Sequence, residues 1–310
     1  MTAHSHSPRR PGRTAFMTAL AVTAGYALVE LAGGLWTGSL ALVGDSGHMF
    51  SDALALGLAA LAAYLARKPV SHRHSYGWAR AEVIGALANS VLMLAVVLVL
   101  VVEAVLRLHE PKPVAAAGML AIAFIGLLIN AVVAWILSRG ERTLNARAAL
   151  LHVMGDLVSS FAALVAGAVI YATGWLPIDP ILTLVIAALI LASTLRILRD
   201  TLHVLMEGVP PAIELGAIGK ALAAVPGVAA VHDLHVWSIT PGQVALSAHI
   251  ELDDLQQWPA ILSAASVLLH DRYGIGHVTL QPEVRDAAGA RRSAVIRLWP
   301  GKSGPRSPTS

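Results

Sequence analysis

The 310-residue sequence predicts a membrane-embedded all-α domain of six spans, followed by a small α+β domain of α-β-β-α-β order. Three observations carry that prediction. Hydrophobic residues make up 56% of the chain and charged residues only 13%, with a mean hydropathy of +0.68, far from the balance of a soluble domain. Six apolar runs, near 14–38, 40–65, 81–106, 115–138, 146–171 and 178–198, are each long enough to cross roughly 30 Å of hydrocarbon. Beyond Arg199 the apolar content falls and strand-type alternation begins. The expected organisation is a disordered start over 1–13, a span region over 14–199, an α+β domain over 200–285 and a disordered tail over 286–310.

The first thirteen residues carry His4, His6, Arg9, Arg10 and Arg13 among Ser and Pro. A basic start of this kind also opens a signal peptide, but the apolar run behind it is too long and has no cleavage-type stop. It reads as a retained first span. Between spans, Lys and Arg sort by side. Arg9, Arg10, Arg13, Arg67, Lys68, Arg73, Arg80, Arg139, Arg142, Arg147, Arg196 and Arg199 fall on one side, against Arg107 and Lys112 on the other. The rich side is cytoplasmic, so both termini are expected inside. The same dispersal into short loops argues against nucleic acid as the reason for the pI near 9.4. The chain has no cysteine, which removes disulfides, thiolate ligands and thiol redox chemistry together.

Within the spans, Gly33, Gly34, Gly38, Gly85, Ala88 and Gly126 suit close helix approach, because lipid gives no hydrophobic drive for association. Asn89 and Asn130 suit interhelical hydrogen bonds. Ionisable residues in mid-span need a stronger account, since burying one in a bilayer costs several kcal/mol. His48 and Asp52 in span two are four residues apart and so share one helix face; His152 and Asp156 repeat the spacing, order and residue types in span five. Two imidazoles and two carboxylates suffice to surround one tetrahedral dication. The loaded site is formally neutral, and protons are the natural replacement once the cation leaves, because such ligands must be deprotonated to bind. Metal and protons exclude each other, as an exchanger requires. Asp45, three residues before His48, is either an orienting or proton-relay group behind the ligands or a helix N-terminal acid.

In the C-terminal region, Pro210-Pro211 opens a short helix to about 224, and Pro226-Gly227 turns into a strand near 228–239. Thr240-Pro241-Gly242-Gln243 makes a hairpin turn into a strand near 244–252; a helix near 256–273 and a strand near 276–284 follow. Pairing Ile239 with Val244 places His235, Trp237 and Ile239 on the core face with Val244, Leu246, Ala248 and Ile250. The polar face then carries His232, Leu234, Val236 and Ser238 beside Ser247, His249 and Glu251. His232 and His249 are diagonal neighbours there, near enough for one cation to touch both. His235 reads as a core or interface residue, and His203 and His270 as surface residues.

Several segments together resemble one family, the cation diffusion facilitators, in its zinc-transporting branch. They are Gly44-Asp45-Ser46-Gly47-His48-Met49-Phe50-Ser51-Asp52, His74-Ser75-Tyr76-Gly77-Trp78-Ala79-Arg80-Ala81-Glu82, Leu151-His152-Val153-Met154-Gly155-Asp156, Val231-His232-Asp233-Leu234-His235-Val236-Trp237 and His277-Val278-Thr279-Leu280-Gln281. The resemblance implies a homodimeric metal/proton antiporter with six spans and a ferredoxin-like cytoplasmic domain. It implies a transport site of His48, Asp52, His152 and Asp156 that takes Zn2+, with Cd2+ or Co2+ as further substrates. It also implies a possible loop metal site at His74, where Trp78 stands in place of a second family His and His72 is a substitute. A cytoplasmic metal site is implied at His232 and His249, although Leu280 and Pro282 replace the final-strand ligands, leaving His277 or Glu283 to compensate. Zinc bound there is expected to draw two soluble domains together and regulate transport. Two other classes stand beside an exporter in a bacterial plasma membrane: a non-transporting metal sensor and an intramembrane zinc enzyme. The second lacks a His-Glu-x-x-His motif, since His109-Glu110 runs into Pro111.

Overall fold

The computed structural model describes residues 11–66, 71–138, 144–240, 242–285 and 299–300; among these, the side chains of 11–21, 56, 59, 63, 66, 137, 144–149, 151–152 and 299–300 lie outside that description. Of the segments expected to be disordered, 1–13 and 286–310, residues 1–10, 286–298 and 301–310 also lie outside it. Six long helices come first: α1 (Pro11–Thr37), α2 (Leu40–Ala66), α3 (Ala81–His109), α4 (Ala116–Ser138), α5 (Leu144–Thr173) and α6 (Ile178–Leu205). Helix α1 begins within the stretch expected to be disordered. Among the described residues, four helices are long and apolar enough to cross a membrane: α3, α4 over Ala116–Ile136, α5 over Val153–Thr173, and α6.

Small side chains let these helices meet. Ala41, Ala123, Ala163, Ala166 and Ala187 are wholly buried in a cluster with Leu42, Met93, Val97 and Met119. A Cβ on Gly126 would stand 2.6 Å from the Tyr26 hydroxyl oxygen, so α1 and α4 approach only because position 126 has no side chain. Tyr26 in turn donates to the Ile122 carbonyl of α4 at 2.6 Å. Helices α1 and α2 are joined by two residues alone, Gly38 and Ser39, and Gly38 takes φ +77°, which costs a glycine least.

A second unit combines the α2–α3 connection with everything from Arg199 onward. It holds α7 (Leu215–Ala223), β1 (Val228–Thr240), β2 (Gln243–Leu252), α8 (Trp258–Tyr273), β3 (His277–Val284) and β4 (Trp299–Pro300). The sheet order is β3-β2-β1-β4, with β2 antiparallel to β1 and parallel to β3. The expected α-β-β-α-β order is present, and the two-residue β4 adds an edge from within the expected tail. Ile218 and Leu222 of α7 and Ile261, Ala265 and Leu269 of α8 cover one face of the sheet. Gly274 ends α8 in the left-handed conformation, with its N–H bonded back to the His270 carbonyl, as expected for a glycine after a helix.

The expected hairpin faces need correction. Ser238, not Ile239, pairs with Val244; Trp237 faces Ala245, Val236 faces Leu246, and His235 faces Ser247. A one-residue change of register exchanges the two faces of a strand. Leu234 and Val236 therefore join Leu246, Ala248 and Ile250 in the core, while His235 is exposed on the opposite side. Between His232 and His235 the register shifts, with Asp233 at φ +47°: two residues of β1 stand against the single Ala248. The bulge restores the original phase upstream. Val231 returns to the core against Ile250, and His232 lands directly opposite His249 rather than diagonal to it.

Candidate metal centres

Helices α2 and α5 carry the first candidate centre. On α2, His48 Nδ1 lies 3.5 Å from Asp52 Oδ2, one turn on, with 24% and 31% of the two side chains exposed. On α5, Asp156 is 1% exposed. The helices are tied together behind these residues: Ser159 and Ser160 of α5 both donate to the Asp45 carboxylate of α2, Ser160 at 3.3 Å. Asn130 of α4 extends the chain by donating to Ser160 Oγ at 3.1 Å, and Ser51 of α2 donates to Asn89 of α3 at 3.2 Å. Both asparagines thus make the interhelical bonds their sequence setting suggests. Asp45 is the sixth residue of α2 and wholly buried, which removes the helix N-terminal reading. The fourth expected ligand, His152, lies one turn before Asp156 on α5, with its side chain outside the described residues.

Sequence reasoning passes over one residue here. Glu30 of α1 is 0% exposed, interacts with Asp45 and Asp156, and receives no N–H or O–H donor among the described residues. Four carboxylates from three helices, those of Glu30, Asp45, Asp52 and Asp156, therefore lie in the apolar bundle. The signal was available: an ionisable residue in mid-span is a functional candidate by its cost alone. Glu30 escaped because it has no partner at a repeated spacing.

The second centre lies on the sheet face opposite the core. Glu283 of β3 bridges two imidazoles, with Oε2 3.0 Å from His232 Nε2 and Oε1 2.7 Å from His249 Nδ1. The two rings are 5.1 Å apart between centroids, and one ligand atom from each of the three residues lies within 4.8 Å of the others. Tetrahedral zinc, bound at about 2.0–2.1 Å, holds its ligand atoms about 3.4 Å apart, so a small contraction would close this set on an ion. Glu251 adds a carboxylate oxygen 3.8 Å from His232 Nε2. Of the two substitutes suggested for the missing final-strand ligands, Glu283 joins the imidazoles and His277 does not. His277 instead sets its ring edge-on to Tyr76, 5.7 Å away.

The loop candidates gather no ligand set. His74 stacks on Trp78 at 4.8 Å and His72 is exposed; among the described residues the only group of three close ligands is His232, His249 and Glu283. His203, bonded to the Val209 carbonyl oxygen at 2.8 Å, and His270 are both exposed, as expected.

Comparison with known proteins settles the class. Residues 16–206 match the cation efflux transmembrane domain, and residues 210–284 match the cytoplasmic domain of cation efflux proteins. The chain belongs to the cation efflux family. It is 38% identical over 296 residues to the zinc transporter ZitB of Escherichia coli K12, covering 93% of this chain and 94% of that protein. It is 38% identical over 286 residues to the cadmium, cobalt and zinc/H(+)-K(+) antiporter of Bacillus velezensis, covering 90% and 91%. The metal cation efflux system protein CzcD of Cupriavidus metallidurans is 33% identical over 306 residues, covering 98% and 97%. This membership makes the chain a metal cation efflux transporter and excludes the intramembrane enzyme.

Proposed function

We propose that this transporter exports Zn2+ from the cytoplasm in exchange for protons, by alternating access through a tetrahedral site of His48, Asp52, His152 and Asp156. Cd2+ and Co2+ are further substrates. All six long helices span a bacterial plasma membrane, both termini are cytoplasmic, and the working unit is a homodimer. The observation that supports this most is the tie between α2 and α5. With Ser159 and Ser160 hydrogen-bonded to Asp45, the turn bearing Asp156 lies beside the turn bearing His48 and Asp52. Relatives named for zinc, cadmium and cobalt transport point the same way.

Charge and softness favour a transition-metal dication. Two aspartates offset its charge, neutral imidazoles complete the set, and Mg2+ or Ca2+ would demand more oxygen ligands. Glu30 and Asp45 remain over as two further buried acids, and protons are the counter-ions that neutralise them without adding bulk. His232, His249 and Glu283 form a separate cytoplasmic zinc site that ties transport rate to zinc concentration. Purified protein in liposomes under a pH gradient tests the reading. Zinc should enter as protons leave, and Asp52→Ala and Asp156→Ala should abolish both fluxes; zinc flux that persists in the double variant overturns it.

A further inference from the structure

The end of α2 remote from its cytoplasmic loop is held in an unusual way. Its first free N–H groups find no acceptor in their own helix, as at any helix start. Here a carboxylate from 139 residues later supplies one: Leu40 N donates to Asp179 Oδ2 at 2.8 Å and Ala41 N to Oδ1 at 3.2 Å. Ser39 Oγ donates to the same Oδ1 at 2.6 Å, and it receives Leu42 N at 3.3 Å. Asp179 itself lies in the first turn of α6, so its negative charge sits at two helix N-termini at once, where the peptide dipoles favour an anion. Ser39 and Asp179 are both 0% exposed, and Thr37 is 2% exposed. The neighbouring loops close over this point. Ala115 N donates to the Thr37 carbonyl at 2.8 Å, the Arg107 guanidinium donates to the Gly38 carbonyl, and Glu103 pairs with both Arg107 and Lys112.

We propose that Asp179 is a positioning residue for metal transport: its carboxylate is the fixed joint about which α2, with His48 and Asp52, is held in height and rotation relative to α6. The transport reading above is assumed. Three donors on one buried carboxylate make a joint that is costly to open, since opening it strands a charge away from water. His48 stands about 12 Å along the helix from Leu40, at 1.5 Å per residue, so a small rotation at the joint swings the ligand pair relative to α5. Movement during transport is then greatest at the far end of α2, and the joint persists in every state.

The test uses the full-length protein in liposomes, comparing wild type with Asp179→Asn and Ser39→Ala. Asn keeps the shape but places an N–H2 group against a row of donors; Ala removes one donor and leaves the carboxylate. Expected are a fall in kcat for zinc of about tenfold in Asp179→Asn and about threefold in Ser39→Ala, in line with loss of hydrogen bonds to a charged acceptor. The Zn2+ to Cd2+ rate ratio should change as well, because ligand spacing shifts; loss of folded protein alone would leave that ratio at the wild-type value. Hydrogen exchange supplies the second readout. The Leu40 and Ala41 amides should stay protected in wild type both with zinc and without it, and lose protection in Asp179→Asn. Rapid exchange of those amides in either wild-type state, or an unaltered ratio in both variants, overturns the joint. Absence of zinc flux in wild type would instead count against the transport reading, whatever the amides do.

Discussion

Replacing each aspartate of the proposed transport site by asparagine, one at a time, separates the contribution of charge from that of shape. Asn preserves volume and one oxygen, so packing survives, but the zinc-loaded site goes from neutral to a net charge of +1. Asp156 is 1% exposed, so that charge is carried in a bilayer-like setting. A charge there costs about 2.5–3.5 kcal/mol, equivalent to a roughly 60- to 300-fold loss of zinc affinity. The Asp52 side chain is 31% exposed, and water screens the same change to roughly tenfold. Both variants lose one anionic ligand, so the difference between them isolates environment. Zinc titration calorimetry on the purified protein, with the cytoplasmic cluster disabled in all samples by His232→Ala and His249→Ala, reads the affinities directly. Asp156→Asn should be weaker than Asp52→Asn by several-fold or more. Equal losses, or a larger loss for Asp52→Asn, would refute the argument from burial.

Three more outcomes follow from other parts of the molecule. Gly126→Ala forces a methyl against the Tyr26 ring, which is tethered to the Ile122 carbonyl; it should destabilise the protein by about 1–3 kcal/mol, read as a lower Tm in detergent. Val236→Ala should cost about 1–3 kcal/mol and His235→Ala less than about 0.5 kcal/mol, measured by denaturant unfolding of the C-terminal domain; the reverse order would restore the register expected from sequence. Glu283→Ala should weaken zinc binding at the His232 and His249 pair by more than about tenfold, and His277→Ala should leave it at the wild-type value, read by titration calorimetry with both histidines intact and the transport site disabled by Asp52→Ala and Asp156→Ala.

Most of the architecture was legible because it depends on long, redundant patterns. The six apolar runs fall within a few residues of α1 to α6, apart from the later ends of α3 and α6, and the α-β-β-α-β order follows from Pro-Gly turns and alternation. The paired spacing of His48 with Asp52 made one side of the proposed transport site readable. The rest was hidden for specific reasons. Glu30 stands alone, so no periodicity marks it, although its cost in a membrane does. Asp179 acts through a contact spanning 140 residues, and Ile-Asp-Pro at the start of α6 looks like an ordinary helix opening. The face of β1 was misread because its register shifts at Ile239, between the Thr240–Gln243 and Ser238–Val244 pairs, and again at Asp233, and neither shift has a signal in alternation. Those two shifts offset each other upstream of Asp233, which is why His232 and His249 were still placed together.

That bulge has a consequence for how such a centre comes and goes. His232 and Leu234 are two residues apart, so in an unbulged strand the parity rule would put both on one face, and with Leu234 and Val236 fixed in the core the imidazole at position 232 would turn inward, away from His249 and Glu283. All three ligand residues would remain in the chain, yet they could no longer converge on one ion. The metal-competent face thus depends on one residue, Asp233, being taken out of the alternation; deleting it would leave plain alternation with His232 still opposite His249.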